Sequence, residues 1–181
     1  IAQTHDTQLN VFADFDPKVP AHSTEPKVLF CANMIPALQM KVIEQAKSTR
    51  LSMLDSMNLW IEIAQDDLLS VMKSVDLIII NDGEVRMLAD DDNLIRASKK
   101  LIEMVGCETL VIKKGENGVL AFHKEDIIAL PAYPTGNVAD PTGCGDSFAG
   151  TIAAYLASGD GHVSKSELRD CLLYTSDAAD D

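Results

Sequence analysis

The chain has 181 residues, 28 of them Asp or Glu and 15 Lys or Arg, for a formal net charge of −13. Hydrophobic residues make up 46% and charged residues 24%, the balance of a folded domain rather than a disordered tail. The excess of carboxylates repels a phosphate backbone and argues against a nucleic-acid partner, while charges break every apolar run before it reaches membrane-spanning length.

Residues 10–17 alternate apolar and polar side chains, which predicts an exposed strand. Pro17, Pro20 and Pro26 predict a loop. Lys27 to Ala32 reads as a buried strand, and Pro36 opens a helix to about Lys47 with Leu38, Val42 and Ile43 on one face. A short strand is expected over Arg50 to Leu54, then one amphipathic helix from Leu59 to Met72. Asp76 to Ile80 is apolar on both faces, as a central parallel strand is. Helices are expected from Glu84 and from Asn93 to Val105, and a strand over Thr109 to Lys113. Gly118 to His123 and Ile127 to Leu130 predict a hairpin, and Gly145 to Ala157 a helix starting in a glycine-rich turn. Strands alternating with helices predict an α/β domain whose largely parallel sheet is covered on both faces. Ligands of such sheets bind at the carboxyl ends of the strands.

Cys31, Cys107, Cys144 and Cys171 form no Cys-x-x-Cys pair, and no His lies at metal-ligand spacing from any of them. They are expected to be free thiols in a reducing cytoplasm. His5, His22, His123 and His162 are isolated, which favours packing over catalysis.

Three segments carry chemistry, each at a predicted strand end or helix start. In Asp140-Pro-Thr-Gly-Cys-Gly-Asp146, two glycines flank Cys144 where a helix begins. Backbone N–H groups there converge on a helix N-terminus and suit an anion. Asp146 falls in the first turn, where a carboxylate either accepts a proton from an attacking hydroxyl or only favours the helix start. Asn81-Asp-Gly-Glu84 suits a hydrated Mg²⁺, or equally a strand-end turn with a helix cap. Lys113-Lys-Gly115-Glu-Asn-Gly118 offers an ammonium for a phosphate and glycines for close approach, or else a plain β-turn. It lacks the Gly-Lys-Ser/Thr ending of a Walker A loop.

Taken in this order, the three segments resemble the ribokinase-like (PfkB) carbohydrate kinase family. Asp140 to Phe148 is similar to its C-terminal signature, usually Asp-[Thr/Pro]-Thr-Gly-Ala-Gly-Asp-x-Phe, and Asn81 to Glu84 to its Asn-x-x-Glu motif. Asp55-Ser-Met-Asn58-Leu-Trp-Ile-Glu62 resembles a segment of one branch of these kinases. The resemblance implies a three-layer α/β/α domain that transfers the γ-phosphoryl of ATP to a sugar hydroxyl, or to a nucleoside in a sister branch. A non-catalytic phosphate-binding module is the alternative from another class.

By that resemblance Asp146 is the general base, and the amides of Gly143, Cys144 and Gly145 form the anion hole. Lys113 contacts nucleotide phosphate, with Gly115, Gly118 and Thr142 beside the nucleotide. Asn81 and Glu84 hold the Mg²⁺–phosphate network through water, and Asp140 matches a monovalent-cation position, with K⁺ as the implied ion. Asp55 and Asn58 either line the phosphate side of the cleft or bond within the core. Cys144 replaces the usual Ala. A thiol at a helix start is reactive, so its alkylation is expected to block phosphoryl transfer and ATP to slow the alkylation. The family often dimerises through a lid, which implies a possible homodimer.

The division expected is residues 1–26 as the end of an N-terminal part plus loop and 27–170 as kinase core, with the sheet incomplete at both ends. The opening residues, Ile1 to Asp6, show neither an initiator Met nor the basic and then apolar layout of a signal peptide. Residues 171–181 reverse-translate into the end of a transposase-based sequencing adapter and are expected to be non-native. The 181-residue chain is accordingly expected to be an inactive piece of its parent kinase.

Overall fold

The computed structural model describes residues 14–136 and 142–177. Six strands form one sheet in the order of the chain: β1 (Val28–Cys31), β2 (Leu51–Asp55), β3 (Leu77–Asn81), β4 (Thr109–Lys113), β5 (Val119–His123) and β6 (Asp126–Leu130). The first four run parallel, and β4, β5 and β6 pair antiparallel. Between the parallel strands lie α1 (Pro36–Gln45), α2 (Asn58–Ile63), α3 (Gln65–Met72), α4 (Asp82–Ala89) and α5 (Leu94–Val105). After the hairpin come α6 (Cys144–Ser158) and α7 (Lys165–Asp177).

The period of two along each strand sorts side chains onto two faces. On β3, Ile78 and Ile80 enter one core with Val71, Met72, Val85 and Leu101 from the crossover helices. Leu77 and Ile79 enter the other with Ala149, Ile152 and Leu156 of α6 and Leu168 of α7. Both faces of β3 are therefore dry, which is why Leu77 to Ile80 reads as an unbroken apolar run. The result is three layers: α1 to α5, the sheet, then α6 and α7.

Four expectations change. Among the described residues, 14–17 form no strand; the rest of that segment lies outside them. Side chains of α1 satisfy this backbone instead: Gln45 Oε1 accepts from Val19 N–H, and Gln45 Nε2 donates to Pro17 O. β1 is mostly half-buried, because it occupies the sheet edge. The single helix over Leu59 to Met72 is two helices, broken at Ala64 (φ −148°, ψ 40°). Asp66 and Asp67 in the first turn of α3 favour a new helix start there. Finally, α7 is an element that no expectation covered. Its sequence signal is Ser164-x-x-Glu167, and the Ser164 hydroxyl accepts from Glu167 N–H at 3.1 Å. The helix runs on through Cys171 and Leu172, which are buried in the second core.

Candidate active site

Parallel pairing brings the carboxyl ends of β2, β3 and β4 side by side. Asp55 closes β2; Asn81 closes β3 in register with Lys113, which closes β4. The tip of β2 is fixed further by the buried Gln39, whose amide donates to Ala32 O and Asp55 O.

Strand alternation points Lys113 inward, while Lys114 turns outward to Asn117 O. The Lys113 ammonium donates to both oxygens of Asp55, each at 3.0 Å. The Asp55 side chain is 5% exposed and that of Lys113 20%. Burial raises the Asp55 pKa above its ordinary value, opposed by Lys113, and the charge of Asp146 adds to the rise. Asp55 Oδ1 also accepts from the Ser56 N–H at 2.8 Å.

Asn81 and Glu84 close a capping box at the start of α4. Glu84 is buried and also accepts from the backbone N–H of Asn58, which ties α2 to α4. Burial pushes its carboxyl up to about 7; the hydrogen bonds and Lys113 pull down, and Asp55 pushes up.

The helix start of α6 stands over this cluster. Gly143 caps it in the left-handed conformation (φ 83°), and its carbonyl accepts from Ser147 N–H. Thr142, Gly143, Cys144 and Asp146 are exposed. A side chain beginning at Gly145 would place its Cβ 3.2 Å from Lys113 Nζ. The ammonium thus abuts the helix turn whose first N–H groups have no partner within the helix.

Gly115 and Gly118 belong to the turn between β4 and β5. Both have positive φ, and Lys114 N–H donates to Gly118 O. At Gly118 a Cβ would come within 2.1 Å of Leu130 O, so the hairpin itself requires this glycine. Asp140 lies outside the described residues.

The structure therefore brings Lys113, Gly145, Asn81 and Glu84 to one place, with Asp146 within electrostatic reach of Asp55. It also gives Asp55 a bidentate partner, Lys113. No local signal couples residues 58 positions apart.

Residues 21–180 match the profile of the pfkB family carbohydrate kinases. Over 146 residues the chain is 28% identical to a cytidine kinase of Thermococcus kodakarensis, covering 78% of this chain and 51% of the relative. Among solved structures, the nucleoside kinase of Methanocaldococcus jannaschii superposes with a TM-score of 0.71 at 22% identity, over 94% of this chain and 52% of that one. A ribokinase II from E. coli described in complex with ATP and Mg²⁺ superposes with a TM-score of 0.68 at 20% identity, over 84% and 51%. The chain spans about half the length of each of these proteins.

Proposed function

The chain belongs to the pfkB family of carbohydrate kinases, and we propose that its parent protein transfers the γ-phosphoryl of ATP to a sugar hydroxyl. The observation that carries this reading is the Lys113 ammonium set against the first turn of α6. An ammonium and a helix N-terminus side by side suit a phosphate whose charge must be balanced during transfer.

Each residue then has a task. Asp146 takes the proton of the attacking hydroxyl as the new O–P bond forms, and the electron pair of the breaking P–O bond leaves with ADP. The N–H groups of Gly143, Cys144 and Gly145 face the equatorial oxygens. Lys113 balances charge on the nucleotide phosphates, with Gly115, Gly118 and Thr142 on the nucleotide side. Among the described residues no three His, Cys, Asp or Glu side chains gather to hold a metal. Mg²⁺ would arrive on the triphosphate and keep most of its waters. Asn81 and Glu84 would touch it through those waters, and bound Mg²⁺ would supply charge neutralisation.

Apart from the proton taken by Asp146, the protein contributes positioning and charge stabilisation, as phosphoryl transfer requires. A cytoplasmic location accords with four free cysteines. Among the described residues no helix is long and apolar enough to cross a membrane. The 181-residue chain alone, at half the length of its relatives, is expected to turn over no substrate.

The second reading is a nucleoside acceptor, favoured by the 28% identity to a cytidine kinase. A panel of sugars and nucleosides offered to the full-length enzyme separates the two. In that enzyme Asp146→Asn should lower turnover by roughly 10²- to 10⁴-fold with nucleotide affinity kept. Near-normal turnover in the variant rejects the base assignment. Nucleotide binding without turnover of any acceptor by the unmodified enzyme assigns it to the non-catalytic class.

A further inference from the structure

Asp55 lies outside the phosphate-contacting set, yet its carboxylate is the most deeply buried partner of that set's cation. Both of its oxygens receive the Lys113 ammonium at 3.0 Å, and its side chain is 5% exposed. The carboxylate is itself immobilised: Ser56 N–H donates to Oδ1 at 2.8 Å, and Gln39 holds the same residue's carbonyl. A lysine carries three N–H donors on a flexible four-carbon stem. Two of the Lys113 donors are spent on Asp55, and Nζ lies 3.2 Å from the Cβ position of Gly145.

We propose that Asp55 is a positioning residue, holding the Lys113 ammonium against the first turn of α6 so that phosphate meets a fixed charge. This rests on Lys113 being the phosphate contact. Without Asp55, the ammonium would trade a fixed place for the many rotamers of its stem, or turn toward Glu84, whose carboxyl already feels its charge. Ordering that side chain would then be charged against every binding event.

The proposal makes a signed prediction that runs against simple charge counting. Asp55→Asn removes a negative charge near an anion site, which by itself tightens binding of an anion. Loss of positioning weakens it. Asn keeps the size of Asp and an oxygen for Ser56 N–H, so the fold is expected to hold, with circular dichroism and the thermal midpoint as the check.

The test is MgADP affinity by calorimetry on the full-length enzyme, in a cycle of Asp55→Asn, Lys113→Met and the double variant. The expected result is about tenfold weaker binding for Asp55→Asn, with no weakening when the same change is made in the Lys113→Met chain. In parallel, a lysine ammonium resonance protected from solvent exchange should be present in the unmodified chain. It should vanish in both single variants. Equal or tighter binding by Asp55→Asn overturns the proposal, as does equal weakening with and without Lys113, which would mark Asp55 as structural only. If Asp55→Asn does not fold, survival of the ammonium resonance in the more conservative Asp55→Glu without its ADP affinity overturns it too. An unmodified chain that binds no MgADP overturns the nucleotide reading of this cluster, and this inference with it.

Discussion

Asn81 and Glu84 secure each other reciprocally: Asn81 N–H donates to Glu84 Oε2 at 2.8 Å, and Glu84 N–H donates to Asn81 Oδ1 at 2.9 Å. One capping box thus starts α4 and buries an acid that feels the charge of Lys113. Two residues that match a motif of the family are thus also those that hold the strand end together. Their substitution will therefore affect stability and function together.

The buried Glu84 gives a pH dependence with a defined sign. Its folded pKa, about 7, lies above the ordinary 4.5, so between those values the folded state holds a proton the unfolded state has lost. Stability from this group is fully present below about pH 4.5 and is lost as pH rises through about 7. Asp55, also raised, acts in the same direction, whereas His123, lowered by burial, acts in the opposite one. Urea unfolding at pH 5 and pH 8 should therefore show a Glu84 contribution of up to about 3 kcal/mol. It is read as the difference between the unmodified chain and Glu84→Gln. Equal slopes for the two chains would refute it.

Gly118 should be among the least replaceable glycines. Its φ is 83°, and a Cβ would meet Leu130 O at 2.1 Å and the Ala132 N–H nitrogen at 2.7 Å. Gly118→Ala is expected to cost roughly 3 kcal/mol, since the obstruction is backbone. Gly115→Ala, at φ 54° with open space around the added atom, should cost only about 1–2 kcal/mol. Thermal unfolding of the two variants measures the contrast.

Gly145→Ala should separate binding from stability. Alanine is the better helix residue by up to about 1 kcal/mol, and only the end of the Lys113 side chain, not backbone, stands near it. The variant is expected to be as stable as the unmodified protein, yet to bind MgADP roughly tenfold more weakly, because the added methyl, 3.2 Å from Nζ, crowds the ammonium at the helix start. Calorimetry and thermal unfolding on one sample give both quantities.

Arg50 and Glu167 join the start of β2 to α7. Arg50 Nη2 donates to both Glu167 oxygens at 2.7 and 2.8 Å, Nε donates to Gly161 O, and the arginine side chain is 3% exposed. Removing one partner strands a buried charge, so Glu167→Gln should cost about 3 kcal/mol. Replacing both, as Arg50→Met with Glu167→Leu, should recover most of that loss. Denaturant midpoints of the single and double variants decide it.

Much of the architecture was legible in the residue pattern. Leu77 to Ile80 could only be a strand dry on both faces, and the glycines about Cys144 could only be a turn opening a helix, because these are local constraints of period and backbone freedom. The resemblance of three short segments was enough to name the family that residues 21–180 match. Other features were settled by neighbours distant in the chain. The break at Ala64, the edge position of β1 and the path of residues 14–17 follow from which surfaces were available to cover them. So does the partner of Lys113, the lysine to which the family resemblance pointed. Two adjacent lysines are equivalent in a sequence, but the sheet turns one toward Asp55 and the helix start and the other toward solvent. Sequence determined which residues could carry charge to a phosphate. Only the packing of β2, β4 and α6 decided that Lys113 is held between Asp55 and the helix start, since a buried ion pair forms where distant strands end side by side.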